Sequence, residues 1–411
     1  MSSRHLLLAG FLATSTGAFI GACATNEGEG DPVDSRNAPV PPRDPDAQAA
    51  DASVEAGDAG PCVDCEYFTE TCAADVLCPH DLFRTNGGFD PRTQINVITG
   101  RSPNDVWIGG ALGAVAHFDG TSWTASDVGN KESVRTLWLR DSSEVSLVTL
   151  GHISTRGIGV VDAGAPSAGG WIDPPAPTFP TEYGKWLRGL ISGWAAPGAE
   201  WFWGATQNFC NDFSCVNNVK LKTSGLWRLH TTPDGKFEIA SAISSTLCQQ
   251  IACTDMTAIH GASANELWAV GNRGATLHIT GAENAEPTIQ QSNSQTWNAL
   301  HGVWVASQTE AWAVGAQGTI RRFTGNTKLW DVVSDVPTAN DLHAVWGSSS
   351  SDIWAVGDAG TVLHYDGKSW SRVKIAGLET RRPNLTAVWV PSPGHVWIGG
   401  QGVLLSLGGL P

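Results

Sequence analysis

The sequence is poor in the residues that build helices. Charged residues make up only 16% of its 411 positions, against roughly 25% in an average globular chain. There are 2 methionines and 3 tyrosines. Because long charged side chains and methionine favour helices, their scarcity excludes a helical bundle. An excess of positive charge is also missing: 40 acidic against 25 basic residues give a net charge of −15, which argues against a nucleic-acid partner.

The motifs of several enzyme classes are missing as well. The sequence contains no phosphate-binding loop, no His-Glu zinc motif and no G-x-S-x-G nucleophile elbow. A sialidase needs a free tyrosine nucleophile, and only Tyr183 lies outside a repeat or a cysteine cluster. We therefore predict a protein that is not an enzyme, with no cofactor and no metal. A glycoside hydrolase-like or quinone-dependent propeller enzyme is the less favoured alternative.

Glycine and tryptophan are abundant, with 47 and 19 residues, and this is typical of short strands joined by tight turns. Residues 342–370 read LHAVWGSSSSDIWAVGDAGTVLHYDGKSW, and segments from Met256, Leu300 and Leu385 fit the same frame. The tryptophans of these four copies are 44, 42 and 43 residues apart: Trp268, Trp312, Trp354 and Trp397. A period of this length indicates the blades of a β-propeller.

An earlier copy starts at Ile95, and the residues between it and Met256 leave room for two degenerate blades, from Val134 and Leu187. We therefore predict an all-β, seven-bladed propeller with four-stranded blades. The last copy supplies only three strands, which would leave exposed edges. We expect a segment within residues 76–86 to supply the missing strand and close the ring.

This repeat resembles the tryptophan-rich seven-bladed propellers of bacterial cell-surface lipoproteins, which are distantly similar to sialidase-like Asp-box repeats and photosystem-assembly-factor propellers. The resemblance covers the chain from Gln94 onward and implies a fold more than a function. The HFDGTSW and HYDGKSW segments, which begin at His117 and His364, are similar to Asp-boxes but lack one residue between Asp and Gly. In that family the Asp-box is a structural turn.

The first 22 residues are typical of an export signal, with Arg4 followed by an apolar run from Leu6 to Ile20. The segment Ile20-Gly21-Ala22-Cys23 resembles a lipobox, which implies lipidation of Cys23; an ordinary signal peptide is the alternative. Residues 23–61 lack aromatic side chains and are acidic, so we expect a disordered tether. We predict a lipid-anchored protein of the cell envelope, on the outer membrane, and a monomer.

Eight further cysteines fall into two groups of four. Behind an export signal, an even number of cysteines predicts disulfides, whose pairing the sequence leaves open. A zinc site is the alternative. The first group would form a clasp over residues 62–80, before a propeller over residues 81–411. The two groups are Cys62, Cys65, Cys72 and Cys78, then Cys210, Cys215, Cys248 and Cys253.

The second residue of each innermost strand is expected to surround the mouth of the central channel. Two arginines opposite two histidines favour an anionic ligand, although a solvated polar rim is the alternative. The seven residues of this ring are Asn96, Arg135, Arg188, Thr257, His301, His343 and Thr386.

Two other sets repeat once per blade. Acids precede the second strand, at Asp105, Glu144, Glu200, Glu266, Glu310 and Asp352, with His395 in the seventh place. Histidines recur at His117, His278 and His364. Because repetition at one turn indicates a repeated hydrogen-bonding task, we interpret both sets as structural, and the histidines as contacts between blades.

Long insertions at residues 205–224, 244–254 and 173–185 are expected to emerge on one face, with Tyr183, Phe209 and Phe213 as contact residues. Asymmetric loops on a rigid scaffold often carry function. We therefore predict a module that binds a protein, peptide or glycan at this face. A structural or assembly scaffold of the envelope is the alternative.

Overall fold

A computed structural model describes residues 64–83, 88–159, 164–180, 188–208, 224–325 and 328–409, all within one compact unit, residues 61–411. Two short strands come first: β1 (Phe68–Thr69) and β2 (Leu77–Pro79). Sheet 1 contains β3 (Ile95–Ser102), β4 (Asp105–Gly110), β5 (Val115–Phe118) and β6 (Trp123–Ala125). Sheet 2 contains β7 (Thr136–Arg140), β8 (Ser143–Thr149) and β9 (His152–Arg156).

The next two sheets are joined by a short helix, α1 (Ser245–Gln250). Sheet 3 contains β10 (Arg188–Trp194), β11 (Phe202–Asn208), β12 (Leu226–Thr231) and β13 (Phe237–Ser241). Sheet 4 contains β14 (Met256–Ser263), β15 (Glu266–Gly271), β16 (Ala275–Thr280) and β17 (Thr288–Asn293). No helix among the described residues is long and apolar enough to cross a bilayer.

The C-terminal part of the chain supplies three more sheets. Sheet 5 contains β18 (Leu300–Ser307), β19 (Glu310–Gly315), β20 (Thr319–Phe323) and β21 (Asp331–Val332). Sheet 6 contains β22 (Leu342–Ser349), β23 (Asp352–Gly357), β24 (Val362–Tyr365) and β25 (Trp370–Arg372). After β26 (Ile375–Ala376), β27 (Leu385–Ser392), β28 (His395–Gly400) and β29 (Val403–Leu407) form the inner part of sheet 7.

The sheets are arranged as a propeller. The first strand of each sheet lies beside the first strand of the next, and β27 returns to β3. Six sheets have four strands or more, whereas sheet 2 has three among the described residues. The prediction of seven four-stranded blades is therefore corrected to six complete blades. In sheet 2, a single antiparallel bridge between Thr155 and Ile172 replaces the fourth strand.

The predicted closure of the ring is confirmed. Strand β2 pairs antiparallel with β29, so that Leu77 lies opposite Leu407 and Pro79 opposite Leu405. Strand β26 then pairs parallel with β2, and β1 with β26, on the outside of the same sheet. A disulfide joins Cys72 to Cys78 of β2, which places the expected cysteine clasp on the outer rim.

A buried tryptophan on the second strand recurs in the complete blades. In sheet 1, Trp107 Nε1 donates to Asp105 Oδ1 (3.0 Å). The same oxygen accepts a hydrogen bond from His117 Nε2 (2.8 Å), and the two rings stack with centroids 4.3 Å apart. The histidines are therefore satisfied, as predicted, but their partners lie within their own sheet and not in a neighbouring blade.

The same tryptophans fill the space between sheets. The ring of Trp312 packs against Tyr365 and Trp370 of the next sheet, with centroids 5.0 and 5.7 Å away. Trp397 packs in the same way against Phe118 and Trp123, across the closure of the ring. Large flat side chains suit the wedge between neighbouring sheets, as the repeat predicted.

In several sheets, the residue in the middle of the innermost strand has a large side chain that packs against the innermost strand of the next sheet. Where it is tryptophan, the opposing residue is often glycine: a Cβ at Gly261, Gly347 or Gly100 would lie 2.7 Å or less from the rings of Trp194, Trp304 or Trp389. Sheet 4 has His260 at this position, opposite Val305. The imidazole is smaller than an indole, and Val305 is larger than the glycine that faces the indoles, so the space between the two strands stays filled.

His260 is a buried, neutral histidine. Its side chain is 6% exposed, and burial lowers its pKa from 6.5 to about 3. Nδ1 accepts a hydrogen bond from the backbone N–H of Val305 (3.1 Å). The rings of Trp194 and Trp346 flank it, with centroids 4.9 and 4.7 Å away.

The closure of sheet 7 predicts a large effect of Leu77→Asp. Leu77 is fully buried between β26 and β29, so the substitution removes apolar packing and buries an unpaired carboxylate. We expect a loss of about 3 kcal/mol or more in unfolding free energy, measured by urea denaturation. Leu112→Asp is the control, because Leu112 is 59% exposed in a turn. Equal urea midpoints for the two variants would contradict closure by β2.

The burial of His260 predicts a pH-dependent stability. Between pH 6.5 and about 3 the unfolded chain binds a proton at this residue and the folded chain does not, so stability falls as the pH falls through that window. The contribution is roughly 2 kcal/mol between pH 7 and pH 4.5.

This dependence is measured by urea denaturation at the two pH values. In His260→Asn, the pH-dependent loss should be smaller by that amount, whereas His395→Asn, at an exposed position, should behave as wild type. Burial also lowers the pKa of His80 and of His301, so part of the dependence remains in every variant. An unchanged pH dependence in His260→Asn would contradict the assignment.

Candidate functional site

A cavity of about 540 Å³ opens at one end of the central channel. We call this end the mouth face; it carries the turns between second and third strands and the connections from one sheet to the next. Residues from the innermost strands of all seven sheets line the cavity. Six of the seven predicted ring residues are among them: Asn96, Arg135, Thr257, His301, His343 and Thr386. Arg188 begins β10 at this end, and its side chain lies outside the described residues.

Three ring residues hold neighbouring sheets together. Asn96 Nδ2 donates to the carbonyl of Val134, at the entry to the next sheet (2.9 Å). The hydroxyls of Thr257 and Thr386 donate to the carbonyls of Leu300 and Ile95, the first residues of the following innermost strands. These groups are engaged within the ring, a role that the sequence analysis did not assign. Arg135, His301 and His343 remain as candidate contacts at the mouth.

The two histidines of the mouth form a pair, with ring centroids 5.6 Å apart. Nε2 of His343 lies 2.7 Å from Asp358 Oδ1. The pKa of His301 is lowered by burial and by the nearby His343, against the opposing effect of Asp341 and Asp358. His301 is therefore uncharged near neutral pH.

This pair changes the expected electrostatics of the mouth. Among the described side chains, Arg135 is the ring residue that carries a permanent positive charge, and it is exposed and makes no ion pair within that part of the chain. Because His301 is uncharged, the attraction for an anion is weaker than it would be with two charged histidines.

The rings of Trp194, His260 and Trp346 form the floor of the cavity. They are the deepest residues of the innermost strands that line it. From the first residue of these strands to the floor, the chain rises about 12 Å. Directly above the floor, the wall has aliphatic contributions from Ile98, Ile259, Val303, Val345 and Val388, and the polar ring residues lie nearer the mouth. The sequence analysis missed His260, although the replacement of the repeat tryptophan by histidine was visible.

The elaborated loops are described in part. Helix α1 carries Cys248, which forms a disulfide with Cys253, and the N–H of Gly225 donates to the Cys253 carbonyl (2.9 Å). The connection at residues 244–254 therefore meets the base of the sheet 3 insertion at the mouth face, as expected. In contrast, Thr178 pairs with β13 at the outer edge of sheet 3, so this part of the 173–185 connection does not lie on the mouth face.

Several predicted residues lie outside the described part of the chain: Cys23, Cys62, Tyr183, Phe209, Cys210, Phe213 and Cys215. Cys65 forms a disulfide. Within the described ranges, no group of three or more potential metal ligands comes together.

The acids at the second strands are engaged in structural contacts. Glu310 accepts hydrogen bonds from Trp312 Nε1 and Arg322 (3.1 and 2.8 Å), and Asp352 from Trp354 and His364 (2.9 and 2.8 Å). These acids start the second strands, at the end of the propeller opposite the mouth face. The contacts agree with the structural interpretation for Asp105, Glu266, Glu310 and Asp352, whereas Glu200 is 65% exposed and His395 is exposed.

The Asp-box-like turns are structural as well. The backbone N–H groups of Thr121 and Ser122 donate to Asp119 (both 2.9 Å). Together with the Thr121 hydroxyl, they lower the pKa of Asp119 to about 2.

Trp297 is an exposed aromatic residue on the mouth face that the sequence analysis missed. Its side chain is 85% exposed and lies four residues before His301, in the connection from β17 to β18. The connection is held against the turn at Gly274: Ser294 Oγ donates to the Gly274 carbonyl (2.6 Å), and a Cβ on this positive-φ glycine would collide with the Thr296 carbonyl.

The next blade provides a natural comparison for Trp297. In both connections, the backbone N–H of an asparagine donates to the hydroxyl of the threonine two residues earlier. The pairs are Asn298 with Thr296 and Asn340 with Thr338 (both 3.0 Å). Ala339 is the residue between the second pair. The same loop geometry therefore forms without the tryptophan, so this side chain is not needed for the fold. A tryptophan outside the repeat positions is the signal that could have identified it.

The comparisons with known proteins identify the fold. No protein-family model matches the chain, and no curated protein is significantly similar in sequence. The solved structure of YCF48 from Cyanidioschyzon merolae superposes with a TM-score of 0.55 at 15% identity, over 77% of this chain and 95% of that chain.

Two further solved structures have similar scores. YCF48 bound to D1 peptide gives 0.54 at 15% identity, over 77% and 92% of the two chains. The WD40 repeats of RRP9 give 0.53 at 6% identity, over 82% and 98%. At these identities the similarity concerns the fold alone, and the predicted β-propeller is confirmed.

Proposed function

We propose that the protein is a binding module that recognises a protein or peptide segment at the mouth face of its propeller. The observation that carries the proposal is Trp297, a largely exposed aromatic side chain on a fixed loop beside the cavity mouth. Tryptophan is among the residues that dominate the energy of protein interfaces. Because it is exposed and not needed for the fold, this side chain is free to be covered by a partner.

The distribution of exposed apolar side chains supports the same face. The large apolar side chains that are exposed within the described ranges are Leu112, Phe179, Leu247, Trp297, Leu329 and Val332. Leu112, Leu247 and Trp297 belong to turns or connections of the mouth face. Arg135 and His343 lie at the adjacent rim of the cavity and would add polar contacts. One similar propeller, YCF48, is described with a bound peptide.

Catalysis is not part of the proposal. Asp105, Glu310 and Asp352 are engaged in hydrogen bonds with tryptophan, histidine and arginine side chains, so these carboxyl groups are not free to act as general acids or bases towards a substrate.

A peptide-binding experiment tests the proposal. The full chain is screened against a displayed peptide library, and the affinities of the selected peptides are measured for wild type, Trp297→Ala and Val332→Ala. We expect Trp297→Ala to weaken binding about 30-fold, as for an interface hot spot. Val332→Ala should bind as wild type, because Val332 is exposed at the outer edge of sheet 5.

Two outcomes would contradict the proposal. One is a set of selected peptides that bind wild type and Trp297→Ala equally well. The other is the absence of any selected peptide together with specific signals on a glycan array, which would favour a sugar ligand stacked on the same tryptophan.

We also propose that the protein is exported and anchored to the cell envelope through a lipid on Cys23. The support comes from the apolar run before Cys23 and from the Cys72–Cys78 and Cys248–Cys253 disulfides, because such bonds persist in oxidising compartments. An envelope location would place the mouth face within reach of other envelope proteins.

Metabolic labelling with an alkyne-tagged fatty acid tests the anchor. We expect wild type and Cys248→Ser to carry the label and to sediment with membranes. Cys23→Ser should carry no label and appear in the soluble fraction. A label that persists in Cys23→Ser would contradict lipidation at this residue.

A further inference from the structure

The cavity inside the propeller has a floor that differs from the rest of the ring. At the middle of the innermost strands, sheets 5, 6 and 7 carry Trp304, Trp346 and Trp389, whereas sheet 4 carries His260. The histidine packs where sheets 5, 6 and 7 use an indole, against Val305 of the next sheet, and sheet 1 has Thr99 at the equivalent position. His260 therefore introduces a polar group into an otherwise apolar floor.

The hydrogen bond at Nδ1 of His260 determines the protonation of the other ring nitrogen, Nε2. Because Nδ1 accepts from the backbone N–H of Val305, its lone pair is used and the single proton of the neutral ring resides on Nε2. Within the described part of the chain, Nε2 has no oxygen or nitrogen partner. The residue as a whole is 6% exposed, but this atom is not one of the fully enclosed side-chain atoms without a partner. Because His260 lines the cavity, we take Nε2 to be accessible from it. A donor left open in this way can be satisfied by water or by a ligand.

The surroundings of this donor define the chemistry of an occupant. The indole rings of Trp194 and Trp346 lie within 5 Å of the imidazole centroid, and aliphatic side chains form the wall above them. These surfaces favour a flat, apolar body. A neutral donor in a low-dielectric site favours a carbonyl oxygen, because an uncharged acceptor costs less to desolvate than a carboxylate.

The size of the cavity agrees with a small organic molecule. Its volume of about 540 Å³ falls within the range of small-molecule sites, which is roughly 300 to 1,000 Å³. The opening at the mouth, next to His301 and His343, gives such a molecule a path of entry.

We propose that the central cavity is a binding site for a small, flat, largely apolar carbonyl compound, whose oxygen accepts a hydrogen bond from Nε2 of His260 between Trp194 and Trp346. This site lies beneath the mouth face and takes a different class of ligand from the peptide partner proposed above. The two proposals therefore stand or fall separately.

Two matched probes test the cavity site. 2-Acetylnaphthalene carries the carbonyl oxygen, and 2-ethylnaphthalene has nearly the same shape without it. Binding to the full chain is measured by calorimetry and by saturation-transfer NMR. We expect saturable binding of the ketone, about tenfold tighter than that of the hydrocarbon, which is the worth of one buried hydrogen bond.

Three variants separate the contributions. In His260→Asn, the amide oxygen can still accept from Val305 while the Nε2–H donor is lost, so the preference for the ketone should disappear. Ala344→Leu adds bulk at a residue that lines the cavity and should weaken both probes at least tenfold. Trp297→Ala changes only the mouth face and should bind both probes as wild type does.

An NMR signal reports the contact directly. The Nε2–H proton of His260 in 15N-histidine-labelled protein should shift when the ketone binds and stay in place with the hydrocarbon. Any one of three results would overturn the proposal: no saturable binding of the ketone to wild type, an unchanged ketone preference in His260→Asn, or unchanged binding in Ala344→Leu.

Discussion

The propeller depends on the tryptophan of the second strand, which in several blades is bound within its own sheet and also packs against the neighbouring sheet. In sheets 1, 5 and 6, its indole N–H is held by an acid two residues earlier, while a histidine or arginine from the third strand lies against its ring. This arrangement fixes the ring orientation, so that Trp107 also meets Trp171 and Trp312 meets Trp370 of the next sheet. In these blades one residue therefore sets the spacing to the neighbouring sheet.

Sheet 2 shows how the ring holds together where this tryptophan is missing. Val145 occupies the corresponding position, opposite Trp138 in the pairing register, and it is Trp138 that packs against Phe202 of sheet 3, with ring centroids 5.6 Å apart. At the interface with sheet 1, polar contacts add to the packing of Trp107 against Trp171. Arg101 donates to the carbonyls of Arg140 and Ser143 and to Glu144. Because Glu144 is largely buried, the loss of Arg101 would leave its carboxylate with fewer partners and destabilise this interface.

Most of the fold was predictable from the sequence, because the repeat period and the missing last strand are properties of the pattern itself. The three-stranded sheet 2 was not, since Ile172 forms only a single bridge, which no periodicity records. At the site, the ring position was correctly placed, but the tasks of its members were not. Thr257, which donates to the next sheet, and His301, which lines the cavity, occupy equivalent positions in the sequence, and only the distance to the next strand distinguishes them. Trp297 and His260 were missed because both depart from the repeat.

The closure of sheet 7 has a consequence for the order in which the chain folds. His80 and Ser406, whose side chains are hydrogen-bonded (2.6 Å), are 326 positions apart, so β2 must wait for nearly the whole propeller before it finds its partner. Contacts of such long range form slowly, and until then both β2 and β29 have unpaired edges that can pair with other chains. Nascent chains are thus at their greatest risk of aggregation just before the ring closes, and a factor that shields these two edges would raise the yield of folded protein without touching the finished molecule.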